Sequence, residues 1–419
     1  MRLQTILNRV EKHKSFVYGS ARFCKDVEGE ACLEVRLRAR KKARPVCSSC
    51  GRRCATYDHQ SEARRFEFVP LWGIVVYLVY RMRRVNCPKC GVKIEQVPWC
   101  DGKNQLTTTY RWYLARWAKR LSWSEVATIF HTSWDSVCRS VEYAVEWGLK
   151  HRKLSGVVAV GIDEIAWHKG HKYLTLVYDI SGSVKRLLAV AENRTESSLQ
   201  ECLSSLGEHT CAGICYVCSD MWKPYLNVIG SILGRAVHVL DRFHVMQKFG
   251  KALDEIRAEE QKQLKRDGYE PVLKKSRWCL LKRPENLTVD QTVRLSELLR
   301  YNLKSVRAYL LREDFQRFWD YVSPTWAGKF LDEWTKRVMK SKLEPLKKVA
   351  LTLRSHRELI LNWFQARGQV SAGAVEGLNN KVKVVTRRSY GFRTANVAKI
   401  ALLHNLGQLP EPKSTHTFC

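Results

Sequence analysis

Three carboxylates in this 419-residue sequence are framed for phosphodiester chemistry: Asp163, Asp220 and Glu376. Asp163 follows the apolar run Val157-Val158-Ala159-Val160-Gly161-Ile162, and Asp220 follows Gly213 to Ser219; both runs read as short buried strands. Glu376 lies in Ser371-Ala372-Gly373-Ala374-Val375-Glu376-Gly377-Leu378-Asn379-Asn380, which reads as the start of a helix. Cutting and transferring a phosphodiester requires an activated attacking oxygen and a stabilised leaving oxygen. Two divalent cations about 3.5–4 Å apart can do both. Mg²⁺ or Mn²⁺ takes oxygen ligands, one or two carboxylates with water completing the shell. Adjacent parallel strands would bring Asp163 and Asp220 together although 57 positions separate them, and the helix would deliver the third group. Asn380, Lys383 and Arg387 follow Glu376 at i+4, i+7 and i+11 and share its helical face, suited to a phosphate chain. Asp241, before Arg242-Phe243-His244, reads as a turn residue or, with His244, as support for the main carboxylates. Glu164 reads as solvent-facing, and Trp167 and Trp222 as core.

A second set of residues could hold metal of another kind. Cys47-Ser48-Ser49-Cys50-Gly51 and Cys87-Pro88-Lys89-Cys90-Gly91 are two C-x-x-C-G knuckles. Each can give two thiolates to a zinc tetrahedron, with glycine supplying the unusual backbone angle. The 36 residues between them include two strand-like runs, Arg65 to Val69 and Ile74 to Arg84, turned at Pro70 to Gly73. A zinc ribbon built on that hairpin is expected, its zinc structural, with Cys54 and His59 as nearby substitutes. There are 15 cysteines, an odd number, and no export signal is visible, which favours free thiols over disulfides.

The elements that must position these groups follow in order. Leu106 to Leu149 is helical: Ser122-Trp123-Ser124-Glu125 is a capping box opening a helix through Phe130, and Ser133 caps a second from Trp134 to about Leu149. Val126, Ile129, Val137, Val141 and Val145 would face inward. Helix, tight turn and longer helix suit a helix-turn-helix, with Ser136, Arg139 and Ser140 as residues to reach bases. Beyond it the pattern is β-β-β-α-β-α-β, with strands Lys172 to Ile180, Val184 to Ala191 and Ala236 to Leu240 beside the two already named.

Composition agrees with a polyanionic partner. Lysine and arginine total 72 against 41 acidic residues, a net charge of +31, and residues 1–100 alone carry 21 basic and 9 acidic side chains. Such a surface attracts nucleic acid over long range. The most apolar stretch, Phe68 to Tyr80, contains Pro70 and Gly73 and is too short to span a bilayer, so a soluble, cytoplasmic, nucleoid-associated protein is expected.

Together these residues resemble the bacterial insertion-sequence transposases of the ISL-three type. The resemblance rests on the paired knuckles, the helix-turn-helix and Gly161-Ile162-Asp163-Glu164 followed by Lys169-Gly170-His171-Lys172-Tyr173. It continues through Ser219-Asp220-Met221, Asp241-Arg242-Phe243-His244, Glu376-Gly377-Leu378-Asn379-Asn380-Lys381 and Arg387-Arg388-Ser389-Tyr390-Gly391-Phe392-Arg393. It implies a DDE triad of Asp163, Asp220 and Glu376 in an RNase H-like catalytic domain, with Lys383, Arg387 and Arg388 available to DNA. The expected architecture is multidomain α+β. A zinc-ribbon domain spans 1–100 and a helix-turn-helix 101–155. The RNase H-like mixed α/β domain spans 156–250 and 370–410, interrupted by an all-helical insertion at 251–369, with a tail at 411–419. In the insertion, Leu295, Leu298, Leu299, Leu303, Val306, Leu310 and Leu311 would form an apolar stripe in a packed lid. Double-stranded DNA is the expected partner, with a homodimer or larger assembly joining two ends. A DNA-binding regulator on an inactive nuclease fold, a nuclease that cuts without joining and a basic RNA-binding protein are the competing readings.

Overall fold

The computed structural model describes residues 3–25, 29–168, 170–269, 272–366 and 372–413. Lys169 and Ser371, and the ends of the expected insertion and tail, lie outside them. The chain forms two compact units, one of residues 1–153 with 383–419 and the other of residues 154–382.

In the first unit, helix α1 (Leu3–Val10) precedes strands β1 (Phe16–Lys25) and β2 (Ala31–Ala39). Strands β3 (Val46–Cys47) and β4 (Ala55–His59) come next. The hairpin β5 (Arg64–Leu71) and β6 (Ile74–Tyr80) follows, then β7 (Arg83–Cys87) and β8 (Gly91–Gln96). They make two sheets, in the orders β1-β2-β6-β5 and β3-β8-β7-β4. The apolar hairpin between the knuckles therefore does not build the ribbon, as the spacing had suggested. Its inward residues Phe66, Phe68, Val76 and Leu78 pack with Val35, Leu37 and Phe16 around the buried Trp99. A ribbon whose own small core is Val85 and cysteines offers no such partner surface. The turn is Trp72-Gly73, both at positive φ, as a two-residue hairpin loop demands. Cys24 and Cys32 sit opposite each other in the β1–β2 register and are joined in a disulfide, a correction to the expectation of thiols throughout.

Helices α2 (Thr108–Ala118), α3 (Trp123–Ile129) and α4 (Trp134–His151) complete the N-terminal part. Ser122 and Glu125 form the anticipated capping box, and Ser133 caps α4 through the Ser136 backbone N–H. Val126, Val137, Val141 and Val145 are buried, but Ile129, the last residue of α3, is half exposed.

The second unit is built on a five-stranded sheet. Its strands are β9 (Ala159–His168), β10 (Lys172–Asp179), β11 (Arg186–Glu192), β12 (Tyr216–Ser219) and β13 (Val237–Leu240), in the order β11-β10-β9-β12-β13. The first three are antiparallel; β12 runs parallel to both β9 and β13. Helices α5 (Glu196–Ser204), α6 (Glu208–Ala212) and α7 (Lys223–Ile232) belong to this part. Val160, Ile162, Val177 and Leu188 on one face of the sheet bury against Leu199 and Leu203 of α5 and Tyr225, Val228 and Ile229 of α7.

From residue 242 to 366 the described elements are all helical. They are α8 (Arg242–Arg266), α9 (Arg277–Leu281), α10 (Val289–Leu298), α11 (Lys304–Gln316), α12 (Pro324–Met339), α13 (Glu344–Ser355) and α14 (Arg357–Gln365), with two short 3₁₀ turns. Phe249, Phe315, Phe318, Trp334, Leu346 and Leu353 share one core, so these aromatics pack inward. The expected apolar stripe is split over α10 and α11. Leu295, Leu298, Leu303 and Val306 are buried, whereas Leu299 and Leu310 are exposed, because the chain breaks helix at residues 299–303 and restarts its phase.

Helix α15 (Ala372–Arg388) follows, and the division between the units falls within it. The last helix, α16 (Ala395–Leu406), packs on α4 in the first unit. The segment after it is also anchored: Leu409 fills the space beside Gly148, and Glu411 pairs with Arg116 and Lys119.

Candidate functional site

The sheet of the second unit sets the rows on which the carboxylates fall. β9 continues past Asp163 to His168, so Asp163 lies within the strand, opposite Leu176 of β10. The parallel pairing with β12 stops at Cys218 opposite Gly161. Continued by two residues, that register brings Asp220 level with Asp163. The β12–β13 register, which ends at Ser219 opposite Leu240, brings Asp241 level with Asp220. Asp163, Asp220 and Asp241 thus fall where the three parallel-paired strands part, Asp220 and Asp241 each just beyond the end of its strand.

The same face of β9 carries Gly161, and α15 packs there. A Cβ at residue 161 would lie 2.5 Å from Val375 Cγ2, so glycine permits the approach of the helix that carries Glu376. One turn on, Asn379 donates to Asp163 Oδ2 and accepts from the Tyr178 hydroxyl at 2.8 Å. Asn379 and not Asn380 is therefore the amide that meets the carboxylate; Asn380, at i+4, is turned to solvent. Glu376 is exposed, and its charge acts on Asp241.

Asp241 is buried and caps α8, accepting from the Phe243 backbone N–H at 2.8 Å. Burial pushes its carboxyl up to about 6, and the charges of Asp163 and Glu376 add to that. His244 Nε2 lies 3.8 Å from Asp163 Oδ1. Burial works against its imidazolium, but Asp163, Asp241 and Asp220 outweigh it and raise the imidazole above its ordinary value. Of the two, His244 faces Asp163, whereas Asp241 takes the turn role that the sequence also allowed, as the cap of α8.

Glu164 is not solvent-facing as read from sequence. Its Oε1 pairs with Arg194 Nη1 at 3.0 Å, and burial, reinforced by Asp220 and Asp163, pushes it up to about 7. Arg194 Nη2 reaches Asp220 Oδ2 at 3.1 Å, while Asp220 Oδ1 accepts from the Trp222 N–H at 3.0 Å. Glu164 Oε2 is buried with no hydrogen-bond partner among the described residues. An orphaned carboxylate oxygen beside two aspartates fits an oxygen-coordinated divalent cation. The carboxylates are not drawn together to the spacing of a closed metal site among the described residues.

That closure does occur at the knuckles. The sulfurs of Cys47, Cys50, Cys87 and Cys90 lie within 4.8 Å of one another. Gly51 and Gly91 have φ of 71° and 70°, the left-handed turn each knuckle requires. Backbone N–H groups of Lys89 and Cys90 hold the Cys87 thiol down to about 6, although burial opposes them. The neighbouring sulfurs, with burial, push Cys90 up to about 12. Four clustered thiols cannot all ionise unless a cation neutralises them, which is the condition for a closed zinc tetrahedron. Cys54 packs beside Cys87 but is not one of the four mutually close sulfurs, its thiol donating to the Arg52 carbonyl, and His59 is exposed.

Of the expected DNA-facing residues, Arg139, Lys383 and Arg387 are exposed and Ser136 is half-buried near the start of α4. Ser140 is fully buried and donates to the Ser136 carbonyl. Arg388 is also unavailable: Nη1 donates to the Lys119 carbonyl at 2.7 Å and Nη2 to Asn405 Oδ1 at 2.6 Å. It neutralises the C-terminal end of α2.

Against this background the relatives are informative. A transposase family of the ISL3 type matches residues 160–402, and the zinc finger of the IS204/IS1001/IS1096/IS1165 transposases matches residues 43–90. The chain is 30% identical to the transposase for insertion sequence element IS1001 of Bordetella parapertussis, over 83% of this chain and 85% of that one. It is 27% identical to the transposase for IS1557 of Mycobacterium tuberculosis, over 96% and 95%. The chain belongs to the ISL3 family of insertion-sequence transposases. It carries that family's zinc ribbon, with the four cysteines as its structural zinc site. Among the described residues no helix is long and apolar enough to cross a membrane.

Proposed function

We propose that this transposase cuts and rejoins DNA at the ends of its element through Asp163, Asp220 and Glu376, acting with Mg²⁺ or Mn²⁺ on an RNase H-like sheet. The alignment of Asp163 and Asp220 at the parting of parallel strands, with α15 seated at Gly161, carries this reading. Asp163, Asp220 and Glu376 would hold the ion, which when bound activates the attacking oxygen and stabilises the leaving one. The chain's own contribution is to fix these oxygens. Asn379, held by Tyr178, fixes Asp163 Oδ2; the Trp222 N–H fixes Asp220 Oδ1; the His244 imidazole lies 3.8 Å from Asp163 Oδ1. Hydrolysis at an element end frees a 3′-hydroxyl, which then attacks target DNA by transesterification. No covalent enzyme intermediate is required, so positioning and charge neutralisation provide the catalysis.

The ribbon and the pair α3–α4, a helix-turn-helix, would read the terminal repeats, with Arg139 exposed on α4 and Lys383 and Arg387 exposed on α15. Joining two ends calls for at least two copies on DNA.

A second reading of the third carboxylate is favoured by the strand register: Asp241 falls beside Asp220 where the parallel strands part, whereas Glu376 is exposed. Both can be tested on DNA carrying the gene's own flanks, with Mg²⁺ or Mn²⁺. Glu376→Gln is expected to abolish both cutting and joining while DNA binding persists, and Asp241→Asn to lower them only partly. The reverse ranking would assign the third ligand to Asp241. Cutting by wild type without joining would make the protein a nuclease.

A further inference from the structure

We propose that Arg194 is a positioning residue that stands in for the divalent cation, bridging Glu164 and Asp220 until metal binds and then withdrawing along Trp222. The inference rests on the reading of Asp163 and Asp220 as metal ligands.

The guanidinium makes one contact to each of two carboxylates on neighbouring strands, at 3.0 and 3.1 Å. Bridging two carboxylates is also what a cation shared between them would do. Glu164 and Asp220 repel each other without it, and Asp163 lies beside them. Yet the bridge is incomplete. Glu164 Oε2 and Arg194 Nε are both buried and lack hydrogen-bond partners among the described residues. A permanent brace in a buried site satisfies its polar atoms, because each one left without a partner loses its hydration uncompensated. A planar fork that leaves an acceptor unmet is a poorer match to this pocket than an ion with several coordination directions.

The surrounding backbone allows the exchange. Asn193 adopts φ 72° and donates its N–H to the Tyr173 carbonyl, and Thr195 caps α5, so the residues on both sides of Arg194 are fixed. Only the side chain need move. It remains 28% exposed and lies 4.4 Å above the Trp222 ring, so it has an apolar face to slide along towards water. Asp220 is then released on the side now tied to Arg194 while the Trp222 N–H keeps its other oxygen in place.

The test is Mn²⁺ affinity of the full chain without DNA, read from the electron spin resonance signal of free Mn²⁺. Arg194→Gln removes the competing charge and is expected to bind Mn²⁺ about tenfold tighter than wild type, as loss of one unit charge beside a divalent ion at a partly screened site implies. Arg194→Lys keeps the charge but cannot bridge both carboxylates, and should tighten binding about threefold. Unchanged or weaker binding in both variants would make Arg194 a structural brace and overturn the proposal. If Arg194→Gln does not fold without metal, Arg194→Lys decides alone. Wild-type binding that is lost in Asp163→Asn and Asp220→Asn but indifferent to Arg194 sinks only this inference. A wild type that binds no Mn²⁺ removes the metal reading beneath it as well.

Discussion

At the scale of single residues, the contact between Gly161 and Val375 is the most exacting feature near the site. A methyl group at residue 161 would meet Val375 Cγ2 at 2.5 Å, well inside van der Waals contact. Gly161→Ala is expected to cost about 1–3 kcal/mol of stability through overpacking. It should also lower strand cleavage more than that loss explains, because α15 carries both Glu376 and Asn379. Val375→Ala in the same chain removes the clashing branch and should recover much of both. Urea unfolding and cleavage rates of the two single variants and the double would measure the coupling. Additive effects would mean that the helix does not depend on this seat. Asn379 belongs to the same scale. Sequence periodicity counted four residues on from Glu376 and chose Asn380, but a helix turn of 3.6 residues leaves i+3 and i+4 equally eligible. Which asparagine faces β9 depends on how α15 is rotated, and a single helix pattern does not contain that.

At the scale of elements, two arginines that look alike in the sequence behave differently. Arg139 is exposed on α4, whereas Arg388 spends its guanidinium on the end of α2 and on Asn405 of α16. Arg388→Ala should therefore destabilise the first unit by about 1.5–3 kcal/mol, the usual worth of hydrogen bonds to a charged group. Arg139→Ala should leave stability within about 0.5 kcal/mol of wild type and weaken DNA binding. Thermal melting and titration of a labelled element end would separate the two roles. Weakened binding by Arg388→Ala at full stability would return that residue to the DNA surface. The caps of α3 and α4 were legible because a Ser-x-x-Glu box and a serine before a periodic run are local signals. The partnership of the 64–80 hairpin with β1 and β2 was not, because a strand's partner is chosen by complementary apolar faces distant in sequence.

At the scale of the whole molecule, zinc and buried histidines set the conditions for stability. Removing zinc with a strong chelator should release one ion per chain, measurable by elemental analysis. It should lower the melting temperature of the first unit, because four clustered thiolates lose their counter-charge. Cys54→Ser should leave the zinc content unchanged, since that thiol faces the Arg52 carbonyl. The same unit holds His13 and His404, both buried, and burial depresses their imidazoles to about 4 and about 3. A folded-state value below the unfolded one means that the unfolded chain takes up protons first. Stability from these residues is present above pH 6.5 and is lost as the pH falls towards the folded values, by about 1.4 kcal/mol per unit for each histidine. Urea midpoints between pH 7 and 5 should fall accordingly, and His404→Gln should flatten the dependence.

What the sequence by itself determined was whatever is encoded by residue type over short spacing. The C-x-x-C-G knuckles, the helix caps, the order of the strands between residues 157 and 240 and the placing of Asp163 and Asp220 beside parallel strands are of this kind. The tertiary structure alone decided the matters that depend on packing between distant segments. It gave the apolar hairpin to a separate sheet, turned Asn379 and not Asn380 to Asp163, and tied Arg194 across Glu164 and Asp220. It also brought the segment after residue 382 back against α2 and α4. The reason is physical. Periodicity and capping report the state of a few neighbouring residues, whereas the rotation of a helix and the partner of a strand are set by the surfaces they bury. The charge that neutralises a buried carboxylate is likewise set by which segments fold around it.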